Sequence, residues 1–326
     1  MEHKKIILGH GSGAGLTHKL ISEVFAQTFK INHLDDACKI SDKMVISTDS
    51  YVVNPLFFPG GDIGKLSVSG TINDVAMSGA RPTFLVAGFI IEEGFEISAL
   101  QKIVCSMQKT AQQAGVQIIA GDTKVVEKGK GDGIYISTTG VGILGDGDEL
   151  SVNRIQVGDK LVVNGTLGDH AVAIINARDR LELDPPPMSD CCALNNLVQA
   201  MLKSAEVKFL RDLTRGGLAT ILNEVIENSD VGIIISEELL PIKQSVSAVC
   251  GLLGLDPLYL ANEGKLVGFV SEDERLLDEM KKHNCARDAA IIGEVTDEVK
   301  GVYLRTTVGS LRPLPILNSD PLPRIC

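Results

Sequence analysis

Five aspartates sit at the ends of apolar runs or in turn-like stretches: Asp36, Asp49 in Ser47-Thr48-Asp49-Ser50, Asp74 in Asn73-Asp74, Asp122 in Gly121-Asp122-Thr123-Lys124, and Asp212 in Arg211-Asp212-Leu213-Thr214-Arg215-Gly216-Gly217. Hard carboxylate oxygens converging from separate elements suit Mg²⁺ bridged to nucleotide phosphates, whereas zinc would ask for nitrogen or sulfur. Taken singly, each aspartate reads more readily as a cap or turn residue; the set of five shifts the balance toward a metal-phosphate site. Lys124 offers positive charge to a transferring phosphoryl group, and Glu263 in Asn262-Glu263-Gly264-Lys265 offers a base. A solvated lysine and a turn glutamate account for these two equally well.

Glycines add a second motif. Gly9-His10-Gly11-Ser12-Gly13-Ala14-Gly15 follows an apolar run and precedes a helical pattern, so its amides could cradle phosphate. It satisfies G-x-G-x-x-A, with Asp35 and Asp36 at the distance of a ribose carboxylate. The second strand that a dinucleotide fold needs would fall on the short, polar Ile31-Asn32-His33-Leu34, which argues against that fold. Gly60-Gly61-Asp62-Ile63-Gly64-Lys65 imitates a P-loop ending, but Pro59 holds the first glycine position and Leu66 replaces the hydroxyl residue.

At the other end, Cys326 closes a segment with prolines at 313, 315, 321 and 323. Proline fixes φ and removes amide donors, so this stretch is expected to be an extended, semi-rigid arm reaching at most about 45 Å. Its terminal thiol suggests a carrier; a frayed terminus is the alternative.

These residues need a scaffold. The 326-residue chain is 44% hydrophobic, enough for two cores. Its net charge of −11 without a basic run disfavours nucleic acid and anionic membrane as partners. The apolar runs are too short for a membrane span. Seven cysteines without C-x-x-C argue against a disulfide framework or zinc ribbon and point to a cytoplasmic setting. Strand-like runs at 44–47, 82–91, 116–119 and 134–143 alternate with helical patterns at 65–78 and 97–114. After the turn-rich 145–149 a strand signal begins at Lys160. Helical patterns follow at 169–177, 194–203, 218–228 and 273–283, with strands near Ile233, Val267 and Ile291. The layout predicts two consecutive α/β domains, 1–150 and 151–311, with a flexible tail at 312–326.

Several blocks together resemble the HypE family of hydrogenase maturation factors, carbamoyl dehydratases of the aminoimidazole ribonucleotide synthetase and selenophosphate synthetase superfamily. The blocks are His10-Gly11-Ser12-Gly13, Thr48-Asp49-Ser50-Tyr51-Val52-Val53, Pro55-Leu56-Phe57-Phe58-Pro59-Gly60-Gly61-Asp62, Asn73-Asp74-Val75-Ala76, Gly88 to Gly94, Gly121 to Val126, Asp212 to Gly217, and Pro323-Arg324-Ile325-Cys326. The resemblance covers nearly the whole chain, and the Pro55 block and the terminus are its most specific parts. One departure is Ala14, where the family continues with a second glycine; its methyl group is expected to restrict the loop.

The resemblance implies an N-terminal α/β domain that builds a barrel-like core with a second subunit, a C-terminal α/β domain beside it, and ATP in the cleft between the two domains. It implies Asp36, Asp49, Asp74 and Asp212 as Mg²⁺ and phosphate-site carboxylates, Gly11, Ser12 and Gly13 over the phosphates, Lys65, Asn73 and Asp122 close by, and Cys326, Lys124 and Glu263 as the catalytic set. The implied reaction is ATP-dependent dehydration of a carbamoyl group on Cys326 to a thiocyanate, the source of cyanide ligands for the [NiFe]-hydrogenase iron. The carbamoyltransferase HypF and the iron-carrying HypC-HypD complex are the implied partners of a cytoplasmic homodimer. Two rivals are a selenophosphate synthetase-like enzyme, which would be expected to carry a reactive Cys or selenocysteine in the glycine loop, and a non-catalytic scaffold whose tail docks a partner.

Overall fold

The computed structural model describes residues 5–31, 35–145, 147, 149–179, 181, 183–227, 229–271, 274–319 and 322–326. The strand considered at 31–34, the 145–149 turn, the helix ends expected at Asn228 and Asp273, and Pro321 of the tail lie wholly or partly outside these residues.

The chain opens with α1 (Gly15–Leu20) and α2 (Gln27–Phe29), joined by a π-helical turn at Ile21–Ala26. Then come β1 (Cys38–Ser41), β2 (Met44–Tyr51), the short pair β3 (Phe57–Phe58) and β4 (Gly61–Asp62), α3 (Ile63–Met77), β5 (Arg81–Glu92), α4 (Ile97–Ala114), β6 (Gln117–Val126) and β7 (Ile134–Ile143). Five of these strands form one sheet in the order β1-β2-β7-β5-β6. It is antiparallel except for the β5–β6 pair, which is joined by α4 as a crossover.

The helix α3 is the keystone. The Asp62 carboxylate caps it by accepting from Gly64 N (2.8 Å) and Lys65 N (3.1 Å). Its small residues let it lie close against β7, where a methyl on Gly140 would stand 2.9 Å from Thr71 and 3.0 Å from Val75. In the amphipathic α4, the buried residues Ile103, Met107, Thr110, Ala111 and Ala114 line one face, and Gly115 ends the helix at φ +72.

The second half continues with β8 (Lys160–Val163), α5 (Asp169–Asp179), α6 (Asn195–Ser204), β9 (Val207–Asp212), α7 (Gly217–Ile226), β10 (Gly232–Ser236), α8 (Gln244–Leu253), β11 (Leu266–Val270), α9 (Glu274–Lys281), β12 (Ala290–Thr296), β13 (Gly301–Arg305) and β14 (Leu311–Pro313). Its seven-stranded sheet runs β14-β13-β10-β12-β8-β11-β9. A hydrophobic cluster under the first sheet takes in Val172 and Ile174 of α5, and also Ile325. Hydrogen bonds stitch the two halves: Asn73 to Cys192 O (3.1 Å) and from Leu194 N (2.8 Å), Ser189 N to Pro59 O (2.8 Å), and Asn195 to Ala114 O (2.9 Å).

Two strands are longer than their sequences suggest. β2 continues through Thr48-Asp49-Ser50 and β6 through Gly121-Asp122-Thr123-Lys124, so these aspartates lie inside strands and not in turns. Pairing with β7 and β5 holds the polar stretches extended. Asp74 likewise lies within α3.

Candidate active site at the seam of the two domains

Three of the aspartates meet where the halves touch. Asp212 ends β9, paired with Leu266 of β11. Leu213 N donates to Lys265 O (2.9 Å) and Asn262 N to Leu213 O (3.0 Å), so the loop carrying Glu263 is strapped beside Asp212. Asp74 comes from α3, and Asp36 from the segment before β1. One oxygen from each of Asp36, Asp74 and Asp212 lies within 4.8 Å of the others. Ser47 Oγ of β2 stands 2.7 Å from the Asp36 carbonyl and 2.9 Å from Asp74 Oδ2. A hydroxyl has one hydrogen to give, so a protonated Asp74 satisfies both contacts at once.

The electrostatics agree. Burial, then the charges of Asp212, Asp36 and Asp49, push the Asp74 carboxyl well above the usual range. Burial and Asp36 do the same to Asp212. Asp36 rises to about 6 through burial, although Arg211 Nε stands 2.9 Å from its Oδ1. Asp212 Oδ2 is buried without a hydrogen-bond partner. An orphaned carboxylate oxygen in a nest of repelling acids fits a hard divalent cation, which would satisfy the lone pairs and cancel the repulsion. Beside it opens a cavity of about 420 Å³ lined by Asp36, Arg211, Val45, Met77, Leu144 and Phe209.

The other expected site residues divide. Asp49 stands outside the tight trio, but alternation along β2 sets it on the buried face with Val45, Ser47 and Tyr51, and its charge raises Asp74 and Asp212. Glu263 is buried in the same field, with Oε1 unpartnered; burial, then Asp212, Asp190 and Asp49, raise its carboxyl well above the usual range.

Lys124 and Asp122 are not gathered with them in one chain. Asp122 aligns with Gly88, Gly88 with Ser137, and Ser137 with Ser50, which puts it on the sheet face opposite Asp49. There Lys124 and Asp122 are exposed and pair with each other at 2.5 Å. Lys124 and Glu263 therefore do not form a pair within one chain.

Lys65 is separated from Asp74 by nine residues of α3, about 13 Å along the axis, and its Nζ donates to Gly60 O (2.8 Å). The side-chain amide of Asn73 bridges to residues 192–194, donating to Cys192 O and accepting from Leu194 N. In the glycine loop, Gly13 N donates to Thr17 Oγ1 (2.9 Å) and Ser12 N to Gly9 O, so these amides turn inward. Arg215 Nη1 donates to Gly11 O (2.7 Å) and ties the loop to the Asp212 segment. The steric demand falls on Gly13, at φ +74 with Arg215 Cβ 2.5 Å from where a methyl would sit. Ala14 has φ −113 and tolerates its methyl.

The C-terminal segment is no free arm. Its prolines removed donors but left the carbonyls, and the body supplies donors to them. Asn223 reaches Leu314 O (2.6 Å), Tyr259 OH reaches Pro315 O (2.8 Å), and the amides of Gly15 and Leu16 reach Leu317 O and Asn318 O. Arg178 of α5 donates to Pro323 O (3.0 Å), Arg324 O (2.8 Å) and Asn54 O (2.7 Å). His170 Nε2 lies 2.8 Å from Ile325 O, and Val52 N donates to the Cys326 main-chain oxygen (3.1 Å). Ile325 is buried, and Cys326 packs against the core shared by β2, α3 and α5. From Ser47, which touches Asp74, to Val52, which holds Cys326, β2 and its continuation run about 17 Å. Arg178 and His170 carried no motif to mark them, and Ser47 and Arg211 stood only as neighbours of the aspartates; spatial neighbourhood shows what they touch.

Residues 34–144 match the AIR synthase related protein, N-terminal domain family, and residues 156–304 the C-terminal domain family of the same name. The carbamoyl dehydratase HypE of Azotobacter vinelandii is 48% identical over 327 residues, covering 97% of this chain and 96% of that one. A crystal structure of a HypE-HypF complex contains a chain that superposes with a TM-score of 0.87 at 48% identity, covering 91% of this chain and 99% of that one. A HypE structure in complex with ATP superposes with a TM-score of 0.84 at 40% identity, covering 99% and 100%. On fold and sequence alike, the chain belongs to the HypE family of carbamoyl dehydratases within the AIR synthase-related fold.

Proposed function

We propose that this protein dehydrates a carbamoyl group carried on its own Cys326 to a thiocyanate at the expense of ATP, in the maturation of hydrogenase. The observation that supports this reading is the inward dock of the C-terminal segment, which holds Cys326 against the core of β2, α3 and α5, two of which also carry Ser47 and Asp74 of the acidic site. A thiocarbamate, S–C(=O)–NH₂, loses its oxygen only after that oxygen becomes part of a good leaving group. Transfer of the ATP γ-phosphoryl to the amide oxygen does this, and loss of phosphate with the nitrogen-bound protons leaves the nitrile.

Mg²⁺ held by Asp36, Asp74 and Asp212, with Asp49 beside them, would neutralise the polyphosphate charge. We assign the cavity beside Asp36, lined by apolar side chains together with charged ones such as Lys39 and Glu149, to the nucleoside, and the Gly11-Ser12-Gly13 loop, tied to Arg215, to the phosphate rim. In this reading Glu263 takes a proton from the amide nitrogen. Burial, then Asp212, Asp190 and Asp49, raise its carboxyl, and a cation held at Asp212 and Asp49 would offset part of that rise. Asp122 and Lys124 stand on the sheet face that a second subunit would cover, and we assign any part they play to the homodimer. Two further partners follow: a HypF-type carbamoyl donor, as in the related complex, and a HypC-HypD-type iron carrier. The described residues contain no helix long and apolar enough to cross a membrane.

Intact-mass analysis of the C-terminal peptide, after incubation with HypF, a carbamoyl donor and ATP, tests the reading. The expected sequence is a carbamoyl adduct on Cys326 that then loses water. Glu263→Gln should accumulate the adduct and dehydrate it at least about tenfold more slowly. An adduct that never loses water in the wild type would remove the dehydratase assignment.

A further inference from the structure

His170 is wholly buried in the first turn of α5, with both ring nitrogens engaged: Nε2 at 2.8 Å from Ile325 O, and Nδ1 at 2.8 Å from Ser189 Oγ. A carbonyl only accepts, so Nε2 carries the hydrogen. In the neutral ring Nδ1 must then accept, and the Ser189 hydroxyl donates to it. Ser189 Oγ also accepts from Cys191 N (3.1 Å), and Ser189 N donates to Pro59 O (2.8 Å), so the serine is itself fixed. The Phe58 ring stands edge-on to the imidazole with centroids 5.5 Å apart and completes the wall of the pocket. Eight residues along α5, Arg178 binds the carbonyls of the two preceding tail residues, Pro323 and Arg324. Arg324 holds φ +52, a strained value for a residue with a side chain, and its own guanidinium reaches Val52 O (2.9 Å) and Asp132.

The dock is connected to the chemistry. The loop that carries Ser189 also carries Asp190, whose Oδ1 accepts from Glu263 N (3.0 Å), and Cys192, whose amide donates to Glu263 O (3.4 Å). A path of hydrogen bonds, with the covalent step from Ser189 to Asp190 between them, therefore runs from the Ile325 carbonyl through His170 and Ser189 to the backbone of Glu263. We infer that His170, fixed by Ser189 as the Nε2–H tautomer, is the positioning residue that registers the Cys326 end of the tail against Glu263, with Arg178 as the outer half of the same latch. Burial holds the His170 imidazolium below its usual range, against the pull of Asp190 and the Ile325 carbonyl, in keeping with the neutral ring.

This inference rests on the carrier-tail reading, but its test needs no turnover: the rate of iodoacetamide alkylation of Cys326, read by peptide mass spectrometry on the full-length protein. Loss of one buried hydrogen bond predicts about tenfold faster alkylation in His170→Ala. His170→Gln, whose amide nitrogen replaces the Nε2–H donor, should restore the slow rate to within about threefold, whereas His170→Asn, which mimics Nδ1, should not. Arg178→Gln tests the outer half without disturbing the core and should also quicken alkylation. Equal rates in His170→Gln and His170→Ala, or no change in Arg178→Gln, would overturn the latch. If the latch behaves as described but no carbamoyl adduct is dehydrated, the functional reading fails alone.

Discussion

Asp74 shows how a site built for a cation costs its fold. A carboxyl whose pKa rises on folding is a net destabilisation at neutral pH, because the unfolded chain ionises it freely and the native state resists. Asp74→Asn removes that cost while keeping a similar shape. The expected outcome is an apo protein whose melting temperature is about 2–4 °C higher, the shift that about 1 kcal/mol makes in domains of this size. Its Mg-ATP affinity by calorimetry should be about tenfold or more weaker, since a charged ligand is lost. A variant both less stable and equally tight in ATP binding would leave Asp74 a structural residue of α3. The same field explains why Glu263, an unremarkable turn glutamate by sequence, is a candidate base: three acids and burial act on it together.

Among the elements, the α1–α2 stretch is held to the body by few partners, and one of them titrates. His18 Nε2 lies 2.9 Å from Glu224 of α7, and that hydrogen bond, opposed by burial, raises its pKa above 6.5. A histidine raised on folding contributes stability that is complete below 6.5 and disappears as pH climbs through the higher folded value. Hydrogen exchange over residues 15–29 should therefore quicken as pH rises past 6.5, beyond the intrinsic base catalysis, and His18→Gln should abolish that extra pH dependence. Identical profiles in the two proteins would free α1 from this contact. The same stretch receives tail carbonyls at Gly15 and Leu16, so loosening it also loosens the arm upstream of the latch.

The assembled chain leaves an edge uncovered. β6 closes one side of the first sheet with ten residues, almost all exposed, including Ile119 and Val125. A long strand edge with apolar side chains is a template for pairing. A homodimer built on this edge would also cover the face that carries Asp122 and Lys124. By light scattering the protein should run at twice its chain mass, and Val125→Lys should shift it to the monomer with the fold intact by circular dichroism. A wild-type monomer would remove the subunit contact and leave Lys124 a solvated lysine.

By itself the sequence determined the chemistry on offer and the class of scaffold. Acidic groups in short polar stretches, a thiol behind prolines, and alternating strand and helix patterns are local properties, legible within a few residues of chain. Only the tertiary structure decided which of those groups meet. Asp49 and Asp122 look alike in sequence, yet strand register and period-two alternation put them on opposite faces of one sheet. Lys65 and Asn73 share motifs with the site, but helix length carries one away and domain packing engages the other. The proline arm was readable as extended but not as docked. Its carbonyls find donors on Asn223, Tyr259, Arg178, His170 and Val52, residues remote in the chain that folding alone brings alongside.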